Sequence, residues 1–166
     1  MSTRSYAEGV RRSEPERTFN PLDGVMGGLI GGILMGMASM LIFWLRDLGF
    51  WYPLRLIATL VRWPDAAAER GFELGPVLVG IIIHMALSMM FGVALTWIGR
   101  RLPWQAVLRA VVLSLVLWVI TNFIVLPLVD QTFYDQFPAW IFAIGHVMYG
   151  LGLGGYLLSQ RARAAE

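Results

Sequence analysis

Cysteine and lysine are both missing from the 166 residues. Without cysteine there is no disulfide, no thiolate ligand and no thiol nucleophile. Without lysine, all 13 basic side chains are arginine. Charge of either sign is scarce, at 14% of residues against about a quarter in a soluble domain. The net charge of +2 is spread over loops and ends. No basic run interleaved with aromatics occurs, so a nucleic-acid partner is excluded. Carboxylates are absent from the middle of every long apolar run, which removes the group that proton-coupled transporters usually employ.

What the chain does have is 57% hydrophobic residues. Four stretches, near 24–45, 75–98, 104–129 and 138–159, are each long and apolar enough to cross a hydrocarbon core of about 30 Å as a helix. They predict an all-α membrane protein, a bundle of four transmembrane helices. Residues 1–21 form a polar arm, 22–160 the spanning domain and 161–166 a tail. The arm lacks the layout of a cleaved signal peptide, so the first span is expected to be an uncleaved anchor. No soluble domain of useful size remains outside the bilayer.

Basic residues near span ends are retained on the cytoplasmic side. Arg4, Arg11, Arg12, Arg17, Arg100, Arg101, Arg109, Arg161 and Arg163 fall on one side, against Arg46, Arg55, Arg62 and Arg70 on the other. This count puts both termini in the cytoplasm of a bacterial cell, with the chain in its inner membrane. Trp44, Trp51, Tyr52, Phe133, Tyr134 and Trp140 gather near one interface, and Trp97, Trp104 and Tyr156 near the other. Trp118 is mid-span. Residues 53–63 carry their own helical period, with Pro53 at a favoured first position. Arg55, Thr59 and Arg62 share one face, the pattern of a short helix lying in the interface.

The first span has glycine at every fourth position, Gly24, Gly28, Gly32 and Gly36, with Gly27 and Gly31 beside them. Such a stripe lets another helix approach backbone to backbone, a source of dispersion contact where lipid removes the hydrophobic drive. Its partner could be another span or a second protein.

Two segments align without a gap: HMALSMMFGVAL from His84 and HVMYGLGLGGYL from His146. In each, small residues follow the histidine by four and eight positions, Ser88 and Gly92 in one, Gly150 and Gly154 in the other. The first and third spans align more weakly, Gly32 with Ser114 and Ser39-Met40 with Thr121-Asn122. This pattern predicts two copies of a two-span unit, with His84 and His146 at matching depth on helices that run in the same direction.

An ionisable side chain at that depth is rare and costly. The two histidines have three readings: hydrogen bonding to a neighbouring helix, with Thr121 or Asn122 as partner; ligation of haem b or a transition metal; and a proton or ion path. Met35, Met37, Met40, Met85, Met89, Met90 and Met148 would add soft thioethers for Cu(I), or simply fill gaps. Residues 150–155, GLGLGG, follow no strand and belong to close helix packing rather than to a dinucleotide loop. Ser88 with His84 lacks an acid and an oxyanion hole, so hydrolase chemistry has no support.

The segments PLRLIATLV, FELGPVLVGIIIH, SMMFG, WVITNF and HVMYG together resemble a group of small four-span bacterial inner-membrane proteins, over residues 22–158. Some members carry a sodium/proline symporter label. The resemblance implies the fold and the membrane, and it supplies no catalytic residue. Three functions stay open. The first is a non-enzymatic accessory or structural subunit, packing through its glycine stripe against other membrane proteins or further copies of itself. The second is a haem- or metal-binding redox module using His84 and His146, and the third is a small oligomeric transporter or channel.

Overall fold

A computed structural model describes residues 19–61, 64–68, 71–102 and 105–163. The N-terminal arm with its four arginines, and Arg62, Trp63, Glu69, Arg70 and Trp104, lie outside the described residues.

Asn20 starts the first helix: its side-chain oxygen accepts from the Leu22 amide at 3.1 Å, Pro21 takes the first position, and Asp23 meets the positive end of the dipole. Helix α1 then runs over Pro21–Leu45. It ends where Asp47 and Gly49 adopt left-handed backbone, at φ 56° and 96°, and the Leu48 amide returns to the Phe43 carbonyl at 2.9 Å. The short helix α2 follows at Tyr52–Thr59, then a 3-10 turn at Pro64–Ala67 and the second span, α3, at Leu74–Gly99.

The third span has three parts. Helix α4 covers Ala106–Ile120, a wide π turn covers Thr121–Val125, and α5 covers Leu126–Val129. Pro127 cannot donate an amide to the turn before it and its ring crowds that turn, so the backbone widens just ahead of it. Asp130 caps the one-and-a-half-turn helix α6, Gln131–Gln136, by accepting from the Phe133 amide at 2.9 Å. The last span, α7, is Ala139–Arg163, with Arg161 and Arg163 complementing its negative end. Four helical stretches are thus long and apolar enough to cross a membrane, as expected.

Helix α1 is the centre of the bundle and packs along both α3 and α7, while α4 packs along α7. Its glycines divide between two neighbours. Gly24, Gly28, Gly32 and Gly36 all face α3: a Cβ built on Gly24 would lie 2.6 Å from the Val93 Cα, and one on Gly32 the same distance from the Ser88 Cβ. Gly27 and Gly31 face α7, where Gly31 meets the Tyr149 carbonyl and Gly152. Of the two partners open to the stripe, another span of the same chain is the one seen here. Both glycine faces are filled from within the chain.

Helix pairs α1–α3 and α4–α7 repeat one contact. The Gly92 position is closed off by the Gly24 carbonyl and Gly28, and the Gly154 position by the Ala106 carbonyl at 3.1 Å and the Ala110 Cβ at 3.1 Å. The two pairs meet through α1 and α7, whereas α3 and α4 scarcely touch.

One end of the bundle is closed by rings. Phe43, Tyr52, Phe133, Phe137 and Phe142 form a buried cluster with Leu56, Leu126 and Ile141, and Phe133 stacks on Phe137 at 5.0 Å. Tyr52 and Phe133 thus belong to the core, not to an aromatic belt, whereas Trp44, Trp140 and Trp97 are exposed as a belt requires.

Helix α2 forms where its period predicts, but it is enclosed instead of presenting a polar face to the surroundings. Arg55 is 1% exposed and Leu56 0%. Gly80 of α3 leaves room for the Leu54 backbone to sit directly on it. The buried guanidinium is satisfied by the Ala66 carbonyl at 2.7 Å, the Gly71 carbonyl at 3.0 Å and Glu73 at 3.0 Å. The Thr59 hydroxyl shares its one proton between the Leu56 carbonyl and the Asp130 carboxylate, and Tyr52 donates to Gln136. Asp130 thus caps α6 and ties it to α2.

Candidate functional site

Below the aromatic cluster lies a cavity of about 120 Å³, between α1, α2, α3, α4 and α7. Both histidines line it, as do Ser39, Ser88, Thr121 and Tyr149. The rest of the wall is apolar, supplied by residues such as Met35, Phe91 and Phe142. Among the described residues, no carboxylate lines it.

The two imidazoles are held by main-chain carbonyls, not by Thr121 or Asn122. His84 uses Nε2, 2.8 Å from the Gly32 carbonyl on α1. His146 uses Nδ1, 3.0 Å from the Phe142 carbonyl one turn back on its own helix. A carbonyl only accepts, so each of these nitrogens carries the proton. The acceptor left on a neutral ring is then Nδ1 in His84 and Nε2 in His146. Fixing one N–H on a carbonyl so that the other nitrogen is poised is the arrangement that orients functional imidazoles. Gly36 makes it possible for His84, because a Cβ there would come within 3.3 Å of Nε2. His146 is steadied by the edge of Phe142, ring centroids 4.5 Å apart.

Further bonds to carbonyls stitch the helices around the cavity. Tyr149 of α7 donates to Ser88 of α3 at 2.6 Å, and Ser114 of α4 donates to His146 of α7 at 2.6 Å. Tyr149 and Ser114 were not singled out by sequence reasoning as polar site residues. Both are ordinary residues in an apolar helix, and only the contact across helices gives them meaning. Of the methionines, Met35 and Met40 reach the cavity, while Met37 and Met90 are exposed. Asn122 is buried, outside the cavity wall. Gly92 seats α1, and Gly150 and Gly154 seat α4.

Among the described residues, no group of three or more His, Asp or Glu side chains is placed to hold a metal ion. A family model matches residues 20–165. The chain belongs to the family of unknown function DUF6789. The match spans all four membrane helices, α2, α6 and both histidines. No curated protein and no solved structure matches.

Proposed function

We propose that this small multi-pass membrane protein is an intramembrane binding module, whose central cavity takes a small neutral molecule held by hydrogen bonds to His84 and His146. One observation carries the reading: two imidazoles from different helices, each with one N–H engaged, line the same partly open cavity.

Size and charge choose among guests. A cavity of about 150 Å³ accommodates benzene, so about 120 Å³ limits a guest to at most one small ring and is far short of a haem macrocycle. A bare metal cation would meet only neutral donors, with no anion to offset its charge in a medium where uncompensated charge is expensive. A transport path fits poorly with an end closed by Phe133, Phe137 and Phe142. The accessory-subunit reading loses its main support once both glycine faces are filled from within the chain.

The matching seats of Gly92 and Gly154 support the duplicated-pair reading, with α3 and α4 as the place where the symmetry lapses. Arg100, Arg101, Arg161 and Arg163 gather at the end where α1 begins, and Arg100 and Arg101 lie over Trp97 at 5.5 and 5.3 Å. That clustering of arginines supports a cytoplasmic location for this end and for both termini.

Calorimetric titration with phenol and benzene, on protein in neutral detergent, tests the reading. Phenol should bind saturably, more tightly than benzene, and Leu117→Trp should block it by filling the cavity. A Soret band, or metal in fixed stoichiometry with the purified protein, would replace this reading with ligation.

A further inference from the structure

A second apolar recess adjoins the cavity. It is a groove of about 340 Å³ on the outer side of α1 and α3, lined by Ile33, Met37, Trp51, Ile81 and Met85 among others. Gly36, Met40, Leu54 and His84 belong to both walls. The two spaces meet at His84, beside the turn of α1 where Gly36 contributes no side chain. Ile33, Met37 and Ile81 are 50%, 54% and 40% exposed within membrane-spanning helices, so the groove opens toward lipid acyl chains.

We propose that the guest is a bilayer-dissolved amphiphile of the hydroquinone class, with its ring in the cavity between His84 and His146 and its apolar tail in the groove. This rests on the neutral-guest reading above and narrows it. Two acceptor nitrogens on two walls call for two donors on one ring, which a benzene diol has and its oxidised quinone, with carbonyl acceptors only, has not. The cavity of about 120 Å³ limits the guest to at most one ring, with the diol's substituents reaching toward the adjoining groove, and Phe91, Phe142 and Tyr149 give it aromatic walls. Access from water at the α2 end is stopped by the phenylalanine cluster. A lateral route from the bilayer needs no polar opening. The groove continues the cavity on that side, and a tail there gives the guest dispersion contacts that a free ring lacks.

The test uses full-length protein in phosphatidylcholine nanodiscs, titrated anaerobically with decyl-hydroquinone kept reduced, with decyl-quinone, and with tail-free hydroquinone, against empty nanodiscs. The diol should bind saturably and the quinone at least tenfold more weakly, a contrast that needs no variant. Met37→Trp and Ile81→Trp, which fill the groove without entering the cavity, should weaken the decyl diol at least fivefold and leave tail-free hydroquinone unchanged. Equal affinity for diol and quinone overturns the proposal, as does a decyl diol indifferent to the filled groove. If phenol binds and neither diol does, the neutral-guest reading survives and this inference falls; if none binds, both fall.

Discussion

The α1–α3 and α4–α7 pairs share a close approach at Gly92 and Gly154, yet they hold their histidines in opposite ways. His84 reaches off its helix to the Gly32 carbonyl, so its ring is part of the joint between α3 and α1. His146 turns back to Phe142 on its own helix, and the joint to α4 is made by Ser114 donating to the His146 carbonyl. A similar small-residue seat thus serves two side-chain arrangements. One histidine ties two helices together; the other is held by its own helix.

Breaking the shared part should have the largest effect. Gly28→Leu and Gly154→Leu each force a branched side chain into backbone, and both should abolish a monodisperse fold in detergent, read by size-exclusion chromatography. Gly155→Leu, with nothing within 4 Å of its Cβ position, should elute like the parent. A folded Gly28→Leu would show that the pair can separate without loss.

The histidines should differ by less. His84→Ala removes an interhelical bond, worth about 0.6 and at most about 1.7 kcal/mol in a membrane bundle. It should lower the unfolding free energy in mixed micelles more than His146→Phe, which keeps an aromatic edge against Phe142. Equal losses would erase the distinction drawn between the two rings. Ser114→Ala should cost about 0.6 kcal/mol in the same assay, through the joint that His146 itself does not make. The smallest effect expected is that of Met90→Leu, an exposed methionine whose replacement should leave thermal stability unchanged.

Much of the architecture was legible because hydropathy and length decide it: an apolar run of span length must satisfy its own backbone. The stripe of α1 was legible as a packing face, and its partner was not, since a glycine says only that something comes close. Enclosure of α2 was hidden for the same reason. Arg55 and Thr59 read as a polar face, and only Gly80, unremarkable in sequence, reveals how near α3 lies. The histidine pair was found by aligning the two halves. The identity of its hydrogen-bond partners was invisible, because those partners are main-chain carbonyls, which every residue carries. The sequence directed attention to Thr121 and Asn122, the polar side chains on offer.

Both imidazoles are proposed to present their second nitrogen to one space that a neutral donor occupies. Nitrogen-15 NMR of histidine-labelled protein, with and without phenol, tests it most directly. The account predicts shifts at Nδ1 of one ring and Nε2 of the other, both lost in Leu117→Trp. Shifts at neither ring, or at the carbonyl-bound nitrogens alone, would contradict it.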